Sequence, residues 1–142
     1  MRRPVDGEVS VHYSQLYVMS GPEGVRDMSE AFAGQTSGLC GAAVPGFLWL
    51  NTGLHTGDVG FTIEVHERAP KVTPAWKDVV EVSFHPRTSR TILELWSGED
   101  TWDLDLAQTD YRVRYCAQGM YEGSELDTRV DEPQADRYLL QF

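Results

Sequence analysis

The chain has 142 residues, with 22 Asp and Glu against 12 Lys and Arg, for a formal charge of -10 at neutral pH. At this length one domain with a substantial apolar core is expected, and four Trp, six Tyr and five Phe supply the buried area that disordered acidic tails lack. The negative charge excludes unaided binding to nucleic acid or to an anionic membrane and makes basic proteins the natural partners.

The start, MRRPVDG, has no apolar run behind its arginines and does not resemble a signal peptide; residues 1–7 are expected to form a flexible N-terminal arm. From Val9 the dominant period is two, the mark of strands with one buried face. The first such run is Val9-Ser-Val11-His-Tyr13, and its parity changes before Leu16 and Val18, which a bulge near Ser14-Gln15 accounts for. Val25 to Ala33 is the one helical stretch, with Val25, Met28 and Phe32 on one face and Gly34 to end it. Strands follow at Phe47 to Leu50, around Val59 to Val65, at Val80 to Phe84, Thr91 to Trp96, Trp102 to Leu106, Tyr111 to Tyr115, and Arg137 to Phe142. Turn signals such as Asn51-Thr-Gly53, Thr56-Gly-Asp58 and Ser97-Gly98 separate several of them. The fold expected is mainly β, an antiparallel β-sandwich of about eight strands with one short helix, forming a single domain over residues 1–142. Tyr121 to Ala135, acidic and without a period, reads as a long loop. The longest apolar runs, such as Phe47-Leu-Trp-Leu50, fall far short of a membrane span, and a cytoplasmic location is expected. The apolar strand at the very end suggests that the natural chain extends further.

The charge is unevenly spread. Residues 1–93 carry 10 acidic and 8 basic side chains and residues 94–142 carry 12 and 4, so -8 of the -10 lies in the final third. One group surrounds the Ser97-Gly98 turn: Glu94, Glu99, Asp100, Asp103 and Asp105. The other, with Glu122, Glu125 and Asp127, falls in the expected loop. In Trp102-Asp-Leu-Asp-Leu106 the apolar residues share a face, so Asp103 and Asp105 point to solvent about 7 Å apart. Trp96 has the parity of Ile92 and Glu94, opposite Leu93 and Leu95, which puts it on the outer face or at a strand end, where aromatics often anchor contacts. These nine residues form the candidate surface for a basic protein partner.

No catalytic or metal-binding pattern emerges. His12, His55, His66 and His85 fall one to an element without ligand spacing, and Cys40 and Cys116 stand in no CxxC pair. Gly38-Leu-Cys-Gly41 and Gly53-Leu-His-Thr-Gly57 lack the Lys-Ser/Thr end of a phosphate loop. No cofactor is expected. Two other classes stay open: a small-molecule or carbohydrate-binding sandwich using Trp49, Trp76 or Trp96, and an enzyme assembled from the dispersed histidines and carboxylates.

The succession SVHYSQLYV, DMSEAFAGQ, GAAVPGFLWLNTG, GDVGFTIEVHE, VVEVSF, TWDLDLAQTDYRVRYCAQGM and ADRYLLQF resembles the ComJ-like family of competence-associated DNA-entry nuclease inhibitors, over about Val9 to Phe142. The resemblance implies a non-enzymatic β-sandwich that binds and silences a nuclease, its acidic face set against the enzyme's basic DNA-binding cleft. It carries over no individual inhibitory residue.

Overall fold

A computed structural model describes residues 1–142. The chain is mainly β, with ten strands: β1 (Arg2–Val11), β2 (Gln15–Met19), β3 (Cys40–Gly41), β4 (Phe47–Asn51), β5 (Gly57–Val65), β6 (Asp78–Phe84), β7 (Ile92–Leu95), β8 (Thr101–Asp103), β9 (Tyr111–Gln118) and β10 (Arg137–Gln141). Two helices, α1 (Met28–Ala31) and α2 (Met120–Leu126), complete it. One sheet has the order β1-β5-β10-β9-β6 and the other β3-β4-β2-β7-β8, so both keep free edges and neither closes into a barrel.

Several expectations change. Ten strands replace about eight, because the first run divides into β1 and β2 and because the two-residue β3 pairs with β4. The pairing is not wholly antiparallel: β10 runs parallel to β5 and antiparallel to β9. There are two helices where one was expected. α2 occupies the stretch read as an acidic loop, and α1 is a single turn held by Ala31, with Val25 and Met28 largely exposed. Residues 2–7 do not hang free but belong to β1, paired with β5.

Alternation builds the core. Val9 and Val11 of β1, Val59, Phe61 and Ile63 of β5, Val113 and Tyr115 of β9, and Tyr138 and Leu140 of β10 point inward from the first sheet. They share one apolar cluster with Leu16 and Val18 of β2, Leu48 and Leu50 of β4, and Leu93 and Leu95 of β7 from the second. Two tyrosines cross-link it. The rings of Tyr115 and Tyr138 stack at 5.7 Å, and the Tyr115 hydroxyl donates to the Asn51 carbonyl at 3.0 Å. The Tyr138 hydroxyl accepts from Gly53 N–H at 2.6 Å and donates to the buried Asp136 carboxylate, whose Oδ2 also accepts from Leu54 N–H at 2.9 Å. Burial pushes both phenols up, with Asp136 adding to the effect, so both stay protonated and able to donate. The loop after β4 is thereby fixed from below.

The outer faces are covered unequally. On the second sheet, Tyr17, Phe47 and Trp49 meet Ala31 of α1 in a smaller apolar cluster. On the first, residues 66–77 pass from β5 to β6 across β10 and β9. The Arg114 guanidinium donates to the Pro70 carbonyl at 2.7 Å, and the Arg137 guanidinium lies 4.6 Å from the Trp76 ring centre. Under this crossing segment Glu64 and Gln141 are buried although they face away from the core.

Candidate functional site

The hairpin of β7 and β8 forms as the alternation requires, with Ile92 opposite Asp103, Leu93 opposite Trp102 and Glu94 opposite Thr101. Its turn is tight: Ser97 and Gly98 have φ of 60° and 67°, and Leu95 N–H donates to the Asp100 carbonyl at 3.0 Å. Glu94 stands next in register to Tyr17, whose hydroxyl, through burial and then the Glu94 charge, is pushed up to about 12. Asp103 and Asp105 are exposed while Leu104 and Leu106 are buried. Their surroundings temper their charge. Arg90 lies 3.5 Å from Asp103, Asp103 Oδ1 accepts from Asp105 N–H at 2.9 Å, and the Arg2 guanidinium donates to the carbonyls of Leu104 and Asp105.

At the other end of the hairpin, four turns from distant parts of the chain converge. β1 and β2 are joined not by a bulge but by a two-residue turn, Tyr13-Ser14, with φ of 57° and 58°, closed by the pairing of His12 with Gln15. Both residues adopt a left-handed backbone that Asn-Gly would supply more cheaply. The β4–β5 loop holds the turn: Ser14 N–H donates to the His55 carbonyl and Thr52 N–H to the Ser14 carbonyl, each at 3.0 Å, and the Ser14 hydroxyl donates to the Leu54 carbonyl at 3.1 Å. The Tyr13 ring is thereby set 5.0 Å from Trp96 and edge-on to His55 at 5.2 Å. His12 lies 5.7 Å from Trp96, and its Nε2 is 2.8 Å from Glu99 Oε2.

The fourth turn ends α2. Asp127 has φ 66° and ψ -61°, and Thr128 N–H donates to the Leu126 carbonyl at 2.7 Å. This is the strained form of the three-residue γ-turn. The Asp127 carbonyl accepts from His55 N–H at 2.9 Å and Thr56 N–H at 3.0 Å, which ties the end of α2 to the loop that clamps Tyr13.

The nine candidate residues therefore divide. Trp96, Glu99 and Asp100 stand at the converging turns, Glu94 reaches toward Gly98, and Asp127 joins them through the His55 loop. Asp103 and Asp105 lie at the opposite end of the hairpin beside the two arginines. Glu122 and Glu125 project to solvent from α2, whose Gly123 faces inward. Residue reasoning missed Tyr13, His12 and His55. The parity break after Tyr13 was the available signal, and a turn satisfies it as well as a bulge does.

Chemistry elsewhere is dispersed. His66 lies 3.0 Å from Glu64, His85 is 2.7 Å from Asp110, and His55 Nδ1 is 2.8 Å from Thr56 Oγ1; no group of three His, Cys, Asp or Glu converges to hold a metal ion. Burial pushes the Cys40 thiol up to about 12 and the Cys116 thiol up to about 11, so neither supplies a thiolate nucleophile near neutral pH. Trp49 is buried under α1, Trp76 lies on the crossing segment and Trp96 is at the turns, so the three form no common platform. Two depressions, of about 510 and 520 Å³, adjoin at Asp110, Tyr111 and Arg112 and are lined mainly by polar and charged side chains.

No protein-family model matches the sequence, and no curated protein matches it. Two solved structures share the fold. ComJ from Bacillus subtilis, inhibitor of the DNA degrading activity of NucA, superposes with a TM-score of 0.62 at 18% identity, over 99% of this chain and 95% of that one. The crocagin biosynthetic gene J protein superposes with a TM-score of 0.52 at 13% identity, over 99% of this chain and 98% of that one. At these identities the likeness is one of fold: this chain has the ComJ-like architecture.

Proposed function

We propose that this protein is a non-enzymatic inhibitor-type binding protein, a single-domain β-sandwich of the cytoplasm that captures a basic protein, foremost a nuclease, through acidic residues of its last third. The observation that carries the reading is the fold shared with a nuclease inhibitor along nearly the whole of both chains. The charge of the final third supports it, since a basic nucleic-acid cleft attracts any surface that presents carboxylates. Within that third, Glu94, Glu99 and Asp100 belong to the hairpin that bears the exposed Trp96, and Glu122, Glu125 and Asp127 carry further charge on and just after α2. Carboxylates at the rim speed association, and an aromatic anchor slows release. Neither a nucleic acid nor a membrane is contacted directly on this reading.

The test is recovery from native lysate on the immobilised protein at low salt, followed by DNA-degradation assays on whatever basic protein is retained. A nuclease should be recovered and its activity suppressed by added protein. The triple variant Asp100→Lys, Glu122→Lys, Glu125→Lys should weaken capture and flatten its salt dependence. Failure to recover any basic protein overturns the reading, and unchanged capture by the triple variant removes these carboxylates from the interface.

A further inference from the structure

We propose that the corner formed by Tyr13 and Trp96 receives an arginine side chain of the basic partner, the guanidinium lying against the two rings and donating to Glu99. The inference rests on the reading above that the partner is basic, and it adds a specific seat in which Tyr13, from outside the acidic segments, joins Trp96 and Glu99 of the hairpin.

Three independent features converge there. The first is the backbone. Five non-glycine residues have positive φ, and four of them, Tyr13, Ser14, Ser97 and Asp127, lie in the converging turns. Such conformations each cost on the order of 1 kcal/mol or more and persist where surrounding structure over-determines them. The His55 loop supplies that restraint through its hydrogen bonds to Ser14 and Asp127. The second is exposure. Tyr13 is 56% and Trp96 36% accessible, and their ring centres are 5.0 Å apart with a tilt of 57°, so both rings stay partly open to solvent on a fixed backbone although His12 adjoins Trp96 and His55 adjoins Tyr13. Packing of the core requires neither ring to be there.

The third feature is charge. His12 engages Glu99 Oε2, and no donor within the chain engages Glu99 Oε1. Glu94, on β7, reaches toward Gly98 of the turn. A cation is attracted to a tryptophan face within about 6 Å of the ring centre, and a carboxylate at the rim of that face adds a hydrogen-bond acceptor. The planar guanidinium of arginine stacks and donates at once, whereas the ammonium of lysine does not stack. A bare carboxylate attracts both cations and favours arginine only through its bidentate fork; the aromatic corner adds a flat surface on which the guanidinium stacks.

The experiment uses two probes, nona-arginine and nona-lysine peptides, added at low salt to the full chain with 15N-labelled tryptophan. Four indole N–H signals are expected, with Trp96 assigned by its loss in Trp96→Phe. Nona-arginine should move the Trp96 signal and leave that of buried Trp49 in place. Trp96→Ala and Tyr13→Ala should each weaken nona-arginine binding by about 3- to 10-fold while changing nona-lysine binding by less than about 2-fold, and Glu99→Gln, which removes a charge that both peptides sense, should weaken both, nona-arginine the more. Trp96→Phe, which keeps a ring, should retain most of the affinity, separating loss of the seat from loss of folding. If the Trp96 signal is unmoved at saturation, or the two peptides lose affinity equally in every variant, the arginine seat is overturned and the basic-partner reading survives. If neither peptide binds, both fall.

Discussion

Glu64 carries a buried carboxylate on a sheet face that alternation assigns to solvent. Residues 66–77 cover it, and four donors meet it: Arg3 Nε at 3.1 Å and Nη2 at 3.0 Å on one oxygen, His66 and Gln141, each at 3.0 Å, on the other. Burial pushes its pKa up, but the hydrogen bonds from Gln141, His66 and Arg3 and the Arg3 charge outweigh that and hold it below the usual carboxylate value. A group with a depressed folded pKa stabilises fully above its unfolded pKa of about 4.3 and loses that contribution as pH falls through the folded value. Glu64→Gln should therefore melt below the native protein at pH 7, and the gap should narrow progressively as pH falls below about 4.5. Thermal melts across that range check it, and a gap independent of pH assigns the loss to packing instead.

The elements around the converging turns show where stability yields to shape. In α2, Gly123 lies so close to its neighbours that a Cβ would fall 2.6 Å from Asp136 Oδ2 and 2.8 Å from Leu54 N. Gly123→Ala should gain about 1 kcal/mol in helix propensity and still destabilise by roughly 1–3 kcal/mol net, since the helix must lift off the His55 loop. Urea unfolding measures the sign. Asp127→Gly should act oppositely: the γ-turn strain is relieved and only an exposed hydrogen bond from Thr128 Oγ1 is lost, for a net gain of about 1 kcal/mol in chemical unfolding. The strands β5, β6 and β9 were legible because Val59 to Val65, Val80 to Phe84 and Tyr111 to Tyr115 alternate cleanly. α2 was not, because the residue buried at its middle is a glycine and only Met120 and Leu126, at its two ends, pack against the core. The Tyr13-Ser14 turn was equally hidden: neither residue favours positive φ, and the donors and acceptors that hold the turn lie about 40 residues away. At the candidate site, the outward direction of Asp103 followed from parity; Asp105 lies beyond the end of β8 with φ of 49° and is exposed without belonging to the alternation. Their proximity to Arg2 depends on how the hairpin edge meets β1, which no local pattern encodes, whereas Arg90 meets Asp103 within the hairpin itself.

For the whole molecule, the decisive arrangement is the position of β10. The last strand in the sequence sits at the centre of its sheet, between β5 and β9, with Leu140 fully buried. Leu140→Ala should cost about 2–5 kcal/mol in urea unfolding, as for other core truncations, because both neighbouring strands fix the backbone and limit collapse around the cavity. The pairs β1–β5 and β9–β6 also need β10 to become one sheet, and Asp136 and Tyr138, which anchor the loop bearing His55, lie just before and within it.

That order imposes a schedule on synthesis. A nascent chain holding β1 through β9 has two separate strand pairs with open edges where β10 will insert, and it lacks the tyrosine and aspartate that clamp the aromatic corner. The converging turns and the sheet therefore mature together, only after residue 141 has emerged from the ribosome. Until then both unpaired edges are open to chaperones and to self-association.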